Sequence, residues 1–147
     1  MKFYTIKKEI EMVGDVLDLW RVLALNFGHI ADYSKGLRES TYTSEQKIGI
    51  GTSRHCVMIN GGFMKEEIIE WEDAKSLAFQ IVDSSLPLQQ GCSLLFTIQS
   101  TNDNLIHIIV QGKYRLRYLG FLSLLIYPIM TQMINQYLED MQNAIAA

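Results

Sequence analysis

The chain has 147 residues, 48% hydrophobic and 20% charged, and a net charge of −3. That length suits one domain, 1–147, with enough apolar mass to bury a core. It carries no basic surplus to neutralise phosphates, so nucleic acid is excluded as a partner.

In chain order, "YTIKKEIEM" puts Tyr4, Ile6, Ile10 and Met12 on one side at period two and charged residues on the other, the pattern of a half-buried strand. In "VGDVLDLWRVLALNFG" the residues Val16, Leu19, Trp20 and Leu23 recur at helical spacing behind a Gly14-Asp15 turn and cap. Phe27 to Ser34 reads as a second short helix, closed by Gly36. Neither helix is basic, which argues against a DNA-reading pair. Six strand-like runs follow: "ESTYTSE", "GTSRHCVMI", "FMKEEIIEW", "SLAFQIVDS", "CSLLFTIQS" and "LIHIIVQGKYRLR". The turns between them, "QKIG", "NGG", "EDAK", "SLPLQQG" and "TNDN", are too short for crossover helices, so the sheet is an antiparallel meander and not a doubly wound parallel one. The basic cluster "KYRLR" reads as a solvated strand end.

From about Gly120 the chain is helical, with Met130, Met133, Ile134, Tyr137, Leu138, Met141 and Ile145 drawing one apolar stripe. Pro128 suits a first turn or a kink, so this helix has room for two pieces. The run "YLGFLSLLIYPIM" has 13 residues, against ~20 to span a bilayer. The charged, alternating N-terminus is unlike a secretory leader. We expect a cytoplasmic protein, monomer or homodimer, with no stable membrane insertion. Phe121 to Met130 is left open as a lid, a core segment or a membrane contact. Cys56 and Cys92 sit in apolar runs without metal or redox spacing and read as buried thiols; no metal and no cofactor is expected.

The stretch "GIGTSRHC" resembles the opening of a phosphate loop, but a strand and not a helix follows Gly51, and no Lys-Ser/Thr pair is present. Gly49 and Gly51 fit a bulge or tight bend at a strand start. Arg54 then shares a face with Cys56 and Met58, and His55 points away. A long amphipathic helix laid across a curved antiparallel sheet leaves a space between them where a ligand fits. An inward Arg54 needs a partner there, because a lone buried charge is very costly. The next strand offers Glu66. The alternative is a strand-edge Arg54 satisfied by water.

The order of elements resembles the START-like, or SRPBCC, superfamily and its polyketide cyclase/dehydrase and lipid transport branch. The matching stretches are "EIEMVGDVLDLW", with Trp20; "FGHIADYSKGL"; "GIGTSRHC" with "KEEIIEWEDAKSLAFQI"; and "YLGFLSLLIYPIMTQMINQYLEDMQNAI". They cover nearly the whole chain. Where relatives read Trp-x-Pro-Gly, this chain has Tyr33-Ser34-Lys35-Gly36 and lacks the proline. The resemblance implies an α+β helix-grip fold: a seven-stranded curved antiparallel sheet wrapped around the long C-terminal helix, with two short helices between the first two strands. It also implies a cavity for a small hydrophobic ligand.

Two functions fit. The first is binding or carriage of a small hydrophobic molecule (a lipid, a polyketide, or an aromatic or isoprenoid-like compound). Trp20, Tyr33, Met58, Phe79 and Phe96 would line the cavity, with Arg54 and Glu66 as its polar groups. The second is a cyclase- or dehydrase-like enzyme in which His29, Tyr33 or Glu66 acts on a poly-keto substrate beside Arg54. General acid-base work needs two such groups converging in a dry pocket, and His29 with Asp32 has the spacing of a helical pair. His107 sits in "LIHIIV", where both strand faces are apolar and alternation does not choose between them.

Overall fold

A computed structural model describes residues 2–101 and 104–146. Strand β1 (Tyr4–Val13) leads into helix α1 (Val16–Trp20), a π-helical turn (Arg21–Leu25) and a 3-10 helix (Phe27–Asp32). Six strands follow: β2 (Leu37–Tyr42), β3 (Ser53–Met58), β4 (Phe63–Glu72), β5 (Ser76–Ser84), β6 (Ser93–Ser100) and β7 (Leu105–Tyr114). A second 3-10 helix (Gly120–Ile126) runs into the long helix α2 (Tyr127–Ala146). The seven strands form one antiparallel sheet in the order β1-β7-β6-β5-β4-β3-β2.

Local chemistry explains the helical segments. Asp15 caps α1, its side chain accepting the Leu17 N–H at 2.7 Å. The π turn shows in the Asn26 N–H, which donates to the Arg21 carbonyl five residues back. Pro128 sits in the first turn of α2, where its missing N–H removes no helical bond, and the tail is in two pieces as the proline suggests.

Register shifts between β4 and β5, at Lys65/Glu66 and Ile68/Glu70, bend the sheet. Its concave face receives α2 through Ile134, Leu138 and Met141, all buried. At Gly112 in β7 a Cβ would stand 2.7 Å from the Ile6 side chain and 3.7 Å from that of Ile134, so glycine permits the close layer there. The Gln142 amide holds the other end of the helix to β1, accepting from the Val13 N–H at 2.9 Å and donating to its carbonyl at 3.0 Å.

Two expectations shift. The first crossing strand lies at Leu37–Tyr42 and not at 39–45. β7 ends at Tyr114, because the chain beyond it leaves the ladder: the Arg115 N–H turns to the Cys92 sulfur and the Leu116 N–H to the Ser123 hydroxyl. Of "KYRLR", Lys113 is exposed near the end of β7 and Arg117 is exposed beyond it, while both arginines are also tied to backbone carbonyls. Arg115 donates to the Lys2 carbonyl, and Arg117 donates to the carbonyls of Ser84 and Leu88. In the expected turn "TNDN", Asn102 and Asp103 lie outside the described residues. No helix among the described residues is long and apolar enough to cross a membrane.

Candidate functional site

The site begins at the two glycines. Gly49 and Gly51 take φ of 91° and 96°, the left-handed backbone that favours glycine. The Gly51 N–H donates to the Ile68 carbonyl and the Ile68 N–H to the Thr52 carbonyl, which sets β3 beside β4. The strand starting at Ser53 then alternates Arg54 and Cys56 inward and His55 outward, where His55 rests on Phe63 at 5.6 Å.

Arg54 is 1% exposed and lies directly opposite Glu66 in the β3–β4 ladder. Its Nε donates to Glu66 Oε1 at 2.9 Å, and Nη2 approaches the same oxygen at 2.9 Å. Nη1 donates to the Phe27 carbonyl at 2.9 Å. The guanidinium carbon stands 3.8 Å from the centre of the Phe27 ring and 4.8 Å from that of Phe79. Burial, the largest single influence, would lower the Arg54 pKa, but Glu66 together with Tyr137, Cys56 and Tyr33 outweighs it and leaves the guanidinium more firmly protonated than usual. The ion pair is closed upon itself, with both charges matched inside the protein.

This pair forms part of the wall of a cavity of about 280 Å³ between the sheet and α2. Of the residues read from the sequence as lining it, Arg54, Met58, Glu66 and Phe79 are on the wall. Trp20, Tyr33 and Phe96 are not. Trp20 packs edge-on against Trp71 at 5.1 Å, in the core under α1. Phe96 sits behind Phe79, its ring stacked 6.1 Å away. Large aromatics here fill the core before they reach the cavity.

Two wall residues of α2 went unnoticed as polar groups: Tyr137 and Asp140. The Tyr137 hydroxyl is buried beside Tyr33 and Arg54, near enough for both to act on it as hydrogen-bonding neighbours, but aligned with neither in a well-formed hydrogen bond. Asp140 is 2% exposed and accepts from the Gln136 amide at 2.8 Å and the Lys35 N–H at 3.2 Å. A carboxylate three residues after Tyr137 stands beside the apolar stripe of a helix, and that was the available signal. Burial raises the pKa of both Tyr33 and Tyr137, so both phenols are neutral at pH 7.

The histidines lie elsewhere. His29 is exposed at a kink of the first 3-10 helix, its ring edge-on to Tyr42 at 5.6 Å, and neither it nor exposed Asp32 reaches the cavity wall. The His29–Asp32 pairing expected from helical spacing does not form, because the helix is broken at His29 itself, with φ −103° and ψ 21°. His107 is on the outer face of β7, 3.8 Å from Glu9, while Ile106, Ile108 and Val110 turn inward. Among the described residues no cluster of three or more His, Cys, Asp or Glu could hold a metal ion.

Cys56 and Cys92 are free and buried. Burial pushes the Cys56 thiol up to about 11, with Arg54 pulling only partly the other way. At pH 8 about one Cys56 in a thousand is then a thiolate, against roughly a quarter of free cysteine. Alkylation of the native protein by iodoacetamide at pH 8 should therefore run at least about a hundredfold slower at Cys56 than after unfolding. Equal rates would show an open cavity wall.

No protein-family model and no curated protein matches the chain. Solved structures do match its fold. A Bacillus thuringiensis protein superposes with a TM-score of 0.77 at 13% identity, covering 98% of this chain and all of that one (100%). XoxI from Bacillus cereus gives 0.77 at 13% identity, covering 97% of this chain and 95% of that one. Norcoclaurine synthase from Thalictrum flavum, solved with dopamine and hydroxybenzaldehyde, gives 0.76 at 15% identity, covering 99% of this chain and 87% of that one. The chain has the Bet v 1-like helix-grip fold, the fold that the START-like resemblance implied.

Proposed function

We propose that the chain binds and carries a small hydrophobic molecule bearing one neutral polar group. The observation that carries this reading is the Tyr137 hydroxyl, buried beside Tyr33 and Arg54 with no well-aligned hydrogen bond, on the wall of an otherwise largely apolar cavity. A poorly satisfied buried hydroxyl costs the empty protein at most about 1–3 kcal/mol, which a ligand oxygen there would relieve. Charge selects the kind of oxygen. Arg54 is already neutralised by Glu66, and buried Asp140 adds negative charge to the same wall. Of the two cations on the wall, Arg54 is paired and Lys113 is an exposed residue, so beside Tyr137 an alcohol or phenol fits better than an acid.

Carriage fits this wall better than the cyclase- or dehydrase-like alternative. The Tyr33 and Tyr137 phenols are held protonated by burial and make poor bases. Glu66 is engaged by Arg54, and His29 is outside the cavity. The cavity lies near the lower end of the roughly 300–1,000 Å³ usual for ligand pockets, so the guest is small.

Displacement of a neutral fluorophore, N-phenyl-1-naphthylamine, provides the test. Decanol should displace it more effectively than decanoate at pH 8. Tyr137→Phe should weaken decanol by about 0.5–1.5 kcal/mol, the worth of one neutral hydrogen bond, and leave decane unchanged. Met58→Trp, which fills the cavity, should abolish binding of all three. If decanoate wins, or if Met58→Trp changes nothing, the reading fails. Native mass spectrometry of protein from its host, with solvent extraction, would identify the guest.

A further inference from the structure

The segment left open as lid, core or membrane contact is exposed. Among the described residues, eight of the fifteen exposed large hydrophobic side chains fall between Tyr118 and Met133. Leu119 is 62% exposed, Phe121 69%, Leu124 61%, Leu125 72% and Ile129 57%. Only Gly120 and Ser123 of the 3-10 helix are buried. Ser123 anchors the turn, donating to the Gly120 carbonyl while accepting from Leu116. An apolar surface this concentrated signals a partner.

Charge indicates which partner. The chain is net negative, yet from Asn104 to Leu138 it contains Lys113, Arg115 and Arg117 and no carboxylate. The Arg115 side chain lies against Gly120 and binds the Lys2 carbonyl, which brings Lys2 to the base of the same surface. Arg117 holds the Ser84 carbonyl; the adjoining strand contributes one exposed carboxylate, Asp83. Four cations against one carboxylate beside an apolar ridge complement an anionic lipid surface. A second copy fits worse, because a two-fold contact between the same surfaces sets cations against cations. The ridge is also continuous with the cavity: Met130, Met133 and Ile134, on the next turns of α2, line it, as does Lys113.

We propose that Tyr118 to Met133 is a docking surface for anionic bilayers, through which the hydrophobic ligand passes between the membrane and the cavity. The passage rests on the carriage reading; the docking does not. The ridge reaches only into the headgroup boundary and releases again, consistent with the lack of a spanning helix among the described residues.

Flotation with vesicles of phosphatidylcholine alone, and of phosphatidylcholine with about 30 mol% phosphatidylglycerol, tests this. Binding should require the anionic lipid and weaken as salt rises. Phe121→Ser with Leu125→Ser should reduce it at least about tenfold, and Lys2→Gln and Lys113→Gln about fivefold each. Leu125→Cys carrying an environment-sensitive dye should shift to the blue on anionic vesicles, a readout independent of how the serine variant folds. Absence of flotation, or binding indifferent to both lipid charge and the ridge substitutions, overturns the proposal. So does a concentration-dependent dimer that the serine substitutions dissolve without any vesicle binding, since the ridge then belongs to a second copy. Fluorophore displacement separates the two readings. Intact displacement without flotation overturns docking alone, whereas flotation without fluorophore uptake leaves docking standing and overturns carriage.

Discussion

Arg54→Met is expected to destabilise the protein by about 3–5 kcal/mol, because it leaves Glu66 buried and unmatched. Glu66 is only 7% exposed and meets a cation nowhere else among the described residues. The same substitution removes the donor to the Phe27 carbonyl and the cation between the Phe27 and Phe79 rings. Glu66→Leu should cost a comparable amount by stranding the guanidinium. Combined, the two should recover much of the loss, since an apolar pair of similar volume often replaces a buried ion pair without penalty. Recovery should stop short of complete by about 1–3 kcal/mol, the cost of leaving the Phe27 carbonyl unpaired. Urea unfolding of the four proteins gives the coupling. Additive losses would show two independently solvated groups and refute a closed pair.

Trp20→Ala should cost about 3–5 kcal/mol. Trp20 is 5% exposed in the last turn of α1 and meets the Trp71 ring at 71°. Trp71 is itself fixed by its indole N–H, which donates to Asp73 at 2.7 Å. The indole therefore pins the helical segment between β1 and β2 to the hairpin of β4 and β5, and deleting it opens a cavity its neighbours cannot fill. Trp20→Phe should retain part of the stability. An unchanged unfolding midpoint in the alanine variant would place Trp20 outside the core.

The strand order and the Arg54–Glu66 pair were legible because both are local. A short turn through Asn60 and Gly61 joins β3 to β4, so Val57 opposite Phe63 carries the register back to Arg54 opposite Glu66. Alternation failed in β7 for a definite reason: its outer face carries Leu105 and Ile109, half-buried, beside His107, so hydropathy alone does not mark the inner face. Trp20 and Phe96 were misplaced because size predicts burial, not which side of a buried layer is empty. Tyr137 reads from the sequence only as part of the apolar stripe and Asp140 carries no local signal of its role, since their meeting with Arg54 and Lys35 depends on where α2 lies across the sheet, about a hundred residues away in sequence.

The strand order also leaves two unpaired margins, at β1 and β2. Unpaired margins recruit other chains and seed fibrils. Here β2 is six residues long and its register slips between Leu37 and Glu39, with Arg38 and Glu39 exposed. β1 is longer but carries Lys7, Lys8, Glu9 and Glu11 along its length. Both margins therefore resist adding a foreign strand, one by shortness and irregularity and the other by charge. A protein that keeps a greasy ridge open to solvent is thereby spared the second route to aggregation, and clumping in concentrated solution should respond to detergent at the ridge and not to strand-blocking peptides.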